Sequence, residues 1–86
     1  MTDWRLQGQE DFLQGRRLRR SRWWPYRPGW DHDHCEFCWA DFGAAKSDHI
    51  EFDGGYVTAE DNYHWICTPC FEDFHEQFEW TVVTDP

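Results

Sequence analysis

Aliphatic side chains are scarce in this chain: three Leu, two Ile and three Val serve 86 residues. No stretch approaches the ~20 consecutive apolar residues that a membrane-spanning helix requires. The segment Met1–Gln14 carries Asp3, Arg5, Glu10 and Asp11 and has no apolar run of signal-peptide length, so a cytoplasmic protein is expected. Lysine is nearly absent, Lys46 being the only one. The sequence also lacks a glycine-rich phosphate loop, a GxSxG nucleophile elbow and an HExxH pair. Those absences remove the common nucleotide-binding, hydrolase and zinc-protease readings. The length allows one small domain, and a core short of aliphatics is marginal at this size without a staple such as a metal, disulfides or a partner subunit.

The burial that is available is aromatic. Seven Trp, seven Phe and three Tyr are present, and each can bury roughly 150–250 Å². Charge is divided unevenly. Residues 1–30 hold seven Arg against Asp3, Glu10 and Asp11, whereas residues 31–86 hold Lys46 against fourteen carboxylates. A basic N-terminal third therefore joins an acidic remainder, and the two are expected to pack on each other. An acidic remainder of this kind is repelled by a phosphate backbone, which counts against generic nucleic-acid binding.

Along the chain, Gly8–Gln14 is predicted as two turns of helix stopped by Gly15. Arg16–Trp24 has a single aliphatic residue before its Trp pair and reads as a solvated strand or an extended arm. Pro25 and Pro28-Gly29 break regular structure, so a boundary is expected near Trp30. This gives a basic aromatic arm over 1–30, packing on a cysteine-bearing domain over 31–86. Within that domain the pattern predicts a strand at His49–Phe52, a hairpin turn at Asp53-Gly54-Gly55, and strands at Tyr56–Thr58 and Tyr63–Ile66. The strongest helix signal follows, with Thr68 as cap, Pro69 in the first turn and Glu72 and Asp73 toward the positive end of the dipole. Phe71, Phe74 and Phe78 lie on one face and form the lid of the core. Val82 and Val83 suit a last short strand.

Four cysteines carry the chemistry. Cys35 and Cys38 form one CxxC pair, and Cys67 and Cys70 form the other, twenty-eight residues on. Two residues between thiolates let both sulfurs of a turn reach one ion at ~2.3 Å, and two such turns complete a tetrahedron. In a cytoplasmic chain with no other cysteine, one structural zinc ion is the expected cofactor. Rubredoxin-like iron shares the four-thiolate geometry; the glycines usual in its knuckles are missing, but spacing alone does not separate iron from zinc. A thioredoxin-type dithiol at Cys67-Thr68-Pro69-Cys70, and a pair of disulfides, are further readings. The dithiol reading leaves Cys35 and Cys38 unexplained. His32 and His34 could replace a ligand or hold a second metal, but four thiolates already satisfy zinc, so a supporting or solvent-facing place is expected. His75 is expected to be solvated, and His49 and His64 carry no assigned chemistry.

With Cys67 and Cys70 at a helix start, Cys35 and Cys38 in an upstream turn and a hairpin between, residues 32–80 resemble the treble-clef zinc fingers. The zinc ribbon is a close rival, although Trp39 and Phe71 stand where its knuckles usually carry glycine. The phrases His34-Cys35-Glu36-Phe37-Cys38-Trp39 and His64-Trp65-Ile66-Cys67 resemble those of short bacterial proteins of unassigned function. The resemblance implies a small α+β domain stabilised by zinc, with knuckle, hairpin and C-terminal helix, and implies no activity. Four cysteine ligands leave zinc no open coordination position, so no enzyme is expected. A binding module is expected instead, for a protein partner. Trp4, Trp23, Trp24, Tyr26 and Trp30 are of residue types enriched at interface hot spots. If the arm buries them on the domain, the acidic face remains to meet a basic partner. The alternative is single-stranded nucleic acid, with Arg16–Arg22 along the phosphates and Trp23, Trp24 or Tyr26 stacking on bases.

Overall fold

The computed structural model describes residues 3–45 and 47–83. In chain order these form helix α1 (Glu10–Leu13), strands β1 (Arg17–Arg22), β2 (Asp33–His34), β3 (Asp41–Phe42), β4 (Gly54–Thr58) and β5 (Trp65–Ile66), helix α2 (Thr68–Phe78) and strand β6 (Thr81–Val83). A four-stranded mixed sheet has the order β5-β4-β1-β6, and β2 and β3 make a separate hairpin.

The arginine-rich segment is a strand in the interior of the sheet. β1 runs antiparallel to β4, with Leu18 opposite Thr58 and Arg22 opposite Gly54, and parallel to β6, with Leu18 opposite Val82. β4 pairs residues 18–22 on one edge and β6 pairs residues 17–19 on the other, both from beyond position 30, so of a strand and an extended arm the strand is what forms. Leu18, its one aliphatic residue, is fully buried. The predicted α1 shortens to one turn, ending where Gly15 takes φ 71° and donates to Phe78 O at 2.7 Å.

The predicted strand at His49–Phe52 is absent; only Phe52 forms a bridge, to Phe42. Asp53-Gly54-Gly55 is likewise not a hairpin turn, because both glycines lie in β4. A Cβ on Gly54 would approach Ser21 O to 2.7 Å, and one on Gly55 would approach Ile66 O to 2.7 Å. These glycines are required by backbone approach between neighbouring strands rather than by a reversal of the chain. The hairpin that does form joins β4 to β5 through a turn held by Asp61. Burial raises that carboxyl's pKa. The Thr58 hydroxyl, the Tyr63 amide and the Arg16 guanidinium outweigh burial, leaving it below the ordinary carboxylate value.

Helix α2 covers the sheet. Its N-cap is Cys67 in extended conformation, without a side-chain cap, so Thr68 is the first helical residue and Glu72 and Asp73 fall beyond the first turn. Phe74 and Phe78 are buried, and Phe71 stacks on Tyr56 of β4 with centroids 3.8 Å apart. Phe37 lies between them, 4.8 Å from Phe74 and 5.4 Å from Phe78. The aromatic lid predicted from the i, i+3, i+7 spacing is therefore present. Among the described residues no helix is long and apolar enough to cross a membrane.

Candidate metal centre

Two turns deliver the four cysteines. Cys35 and Cys38 lie in the loop of the β2–β3 hairpin, where Cys35 N–H donates to Ala40 O at 2.8 Å and Trp39 N–H to Cys35 O at 3.1 Å. Closing this knuckle puts Trp39 at φ 67°, the left-handed conformation that glycine adopts freely. A bulky residue there costs about 1–2 kcal/mol. The knuckle therefore forms without the glycine whose absence counted against the zinc ribbon and rubredoxin-like iron. Cys67 and Cys70 come from the cap and first turn of α2. The turns are tied together where Cys35 bridges Trp65 and Glu36 N–H donates to Trp65 O at 2.9 Å.

The four Sγ atoms all lie within 4.8 Å of one another, and Cys38 and Cys67 Sγ are 3.6 Å apart. A tetrahedral thiolate site with ~2.3 Å bonds has sulfur–sulfur edges of about 3.8 Å. The cluster thus has the size and donor chemistry for one metal ion. Cys35, Cys67 and Cys70 are buried and Cys38 is half-buried, and none of the four is in a disulfide.

The electrostatics fit a cation. Hydrogen bonds from the Cys67 and Cys70 thiols hold Cys35 at about 2, far below the thiol range, against the opposing effect of burial. The Phe37 and Cys67 amides also point at Cys35 Sγ, each at 3.4 Å. The hydrogen bond to Cys35 then pushes Cys67 up, and raises Cys70 to about 12, with burial adding to both. Hydrogen bonding within the cluster thus favours the thiolate form at Cys35 and the protonated form at Cys67 and Cys70. A divalent ion held by these four sulfurs would take the place of those protons, since metal binding requires thiolates and releases what they carry.

Arg5 completes the surroundings. Its guanidinium donates to Cys70 Sγ at 3.5 Å and Asp73 at 2.9 Å, and lies 4.5 Å over the Phe74 ring. Sequence reading gave no signal for this residue, which is sixty-five positions from the sulfur it meets. A cavity of about 610 Å³ opens beside the cluster, lined by Trp4, Phe52, Pro69 and three of the cysteines.

The histidines stay outside. His32 pairs with Asp31 and His34 with Asp41, both at 2.8 Å. His64 meets Glu36 at 2.6 Å, buttressing the knuckle. His75, expected to be solvated, is only part-exposed. Its ring stacks on Phe71, and its Nδ1 is buried without a hydrogen-bond partner among the described residues. Of the N-terminal aromatics, Trp23 is buried and Trp30 packs against the core, while Trp4, Trp24 and Tyr26 are exposed. Fold and site together define a small α+β domain built around a tetracysteine cluster positioned to bind one metal ion. Beyond that class, comparison with models of protein families, with curated proteins and with solved structures finds no match to the chain.

Proposed function

We propose that Cys35, Cys38, Cys67 and Cys70 hold one structural zinc ion and that the domain is a non-enzymatic interaction module of treble-clef type. The observation that carries this reading is the convergence of both CxxC pairs on one point, all four Sγ atoms within 4.8 Å. A thioredoxin-type dithiol needs two of these sulfurs and gives no reason for the other two to close around them. Four thiolates leave a bound zinc no position for substrate or water, which supports a structural over a catalytic ion. The order of knuckle, β4–β5 hairpin and helix supports the treble-clef comparison.

The partner in this reading is a basic protein. Arg5 and Arg16 pair with Asp73, Glu60 and Asp61, which ties the basic third to the domain. The acidic groups of residues 31–86 that remain are the complement of a positive surface. Single-stranded nucleic acid is the second reading, favoured by the absence of any partner for the guanidinium groups of Arg17, Arg20 and Arg22 among the described residues. Arg16 and Arg19 are already engaged and Trp23 is buried, so the full Arg16–Arg22 run is not free for it.

Native mass spectrometry of protein purified without added metal tests the centre. The expected result is a mass increase of one zinc ion, lost on chelation together with the compact charge-state envelope. A chelated protein that keeps its compact envelope, a mass matching iron, or a mass lower by two disulfides overturns the assignment.

A further inference from the structure

Seven arginines stand against seventeen carboxylates in a chain of net charge −9, and four of the seven are engaged. Arg5 holds Asp3 and Asp73, Arg16 holds Glu60 and Asp61, Arg19 donates to Asn62, and Arg27 lies over the Trp30 ring. The guanidinium groups of Arg17, Arg20 and Arg22 form no hydrogen bond or ion pair with any described residue. Solubility does not explain them, because positive charge on an acidic chain brings the net charge closer to zero. Nor does strand formation, since arginine has no special fitness for an interior strand.

Arg20 and Arg22 are two residues apart on β1, so they project from the same face, the one on which Tyr56, opposite Arg20 in register, stacks on Phe71 of α2. Between them and the start of α2 lies a cavity of about 360 Å³, lined also by Ser21, Gly54, Gly55 and Thr68. Gly54, opposite Arg22 in register, lines the cavity with backbone alone. Asp53 is the one acidic lining residue, and its carboxylate pairs with neither guanidinium. We propose that Arg20 and Arg22, with the cavity they flank beside Gly54 and Thr68, form a binding site for a phosphate group.

Guanidinium is suited to this ligand, because its planar fork of N–H donors matches two phosphate oxygens at once. The cavity accommodates a phosphoryl group with part of the molecule that bears it. That molecule is either a small phosphate ester or a phosphodiester strand, and the two are separable. The site rests on side chains away from the metal centre and stands whichever ion the cysteines hold.

The test is an amide NMR titration of the zinc-loaded chain at low salt, once with inorganic phosphate and once with a single-stranded thymidine oligonucleotide. Either ligand is expected to shift Gly54, Gly55 and Thr68. A response to phosphate alone assigns a small ester, and a tighter response to the oligonucleotide assigns a strand. Arg20→Gln and Arg22→Gln should each weaken binding roughly tenfold, and Asp53→Asn should tighten it. Arg17→Gln removes the same charge from the opposite face and should leave the affinity within about twofold, which separates a built site from general attraction. No shift with either ligand overturns the proposal, as does equal loss in Arg17→Gln and Arg22→Gln. The thermal midpoints of these exposed-site variants check that each one folds.

Discussion

Asp33 shows how much one side chain carries in a core assembled from aromatics. Its Oδ2 accepts from the indole N–H of Trp23 and from that of Trp30, each at 2.9 Å. The first ring is buried, and the second packs against the same cluster. Replacing Asp33 with Ala leaves two indole donors without an acceptor, and each buried orphan costs about 1–3 kcal/mol. Asp33→Ala is therefore expected to lower stability by about 2–4 kcal/mol in zinc-saturated denaturant unfolding. Tryptophan fluorescence should shift to the red as Trp23 becomes wet. Asp33→Asn keeps an acceptor oxygen and should recover at least half of the loss; equal losses in the two variants would contradict the hydrogen-bond account. At this scale the four cysteines were legible, because CxxC spacing encodes its own geometry. Asp33 and Arg5 were not. Trp23 lies ten positions from Asp33 and Cys70 sixty-five from Arg5, and nothing in the sequence marks one carboxylate as the acceptor for two indoles.

Among the elements, α2 was the most readable. Its Phe spacing is a property of the helix itself, and the face it names is the one buried. Its end was less visible. Glu79 closes the helix at φ 56°, ψ 41°, with its N–H on Glu76 O at 3.2 Å and Trp80 N–H on His75 O at 3.1 Å. Glycine is the usual residue in such a left-handed cap. Glu79→Gly removes the strain of a side chain there and forfeits an exposed hydrogen bond from Gln14 at 3.1 Å. The net expectation is a gain of about 0.5–1 kcal/mol, read as a higher denaturation midpoint at constant metal saturation. A lower midpoint would mean that the Gln14 contact outweighs the backbone. The strands were harder for a physical reason. Asp-Gly-Gly is a turn sequence by local chemistry, and only the close approach of Ser21 O and Ile66 O explains why these glycines are extended. Likewise, an arginine-rich segment reads equally as a solvated strand or an extended arm, and only the strand order, which puts it between β4 and β6, selects the strand.

For the molecule as a whole, the proposed metal centre would add to the aromatic contacts that join the knuckle, the sheet and α2. The knuckle hairpin, the sheet and α2 meet at the cysteines, and the aliphatic residues are too few to hold them together alone. With metal binding worth on the order of 10–16 kcal/mol in comparable zinc peptides, this chain is expected to fold only with its ion. Acid should therefore act through the ligands. The metal-bound fold carries four thiolates, whereas the unfolded chain binds protons at cysteines whose pKa is ~8.5. The unfolded state is the more protonated one, so stability rises with pH up to about 8 and falls on acidification. Circular dichroism followed with a zinc-sensitive dye should show structure and metal lost in one transition as the pH drops below about 5. The cavity beside Cys38 gives protons and chelator a short route to the sulfurs. Cys38→Ser weakens one ligand of the four and should move that transition upward by about one pH unit or more. If structure outlasts the metal by more than a pH unit, the aromatic core is self-sufficient. The role of the four cysteines would then be something other than holding the fold.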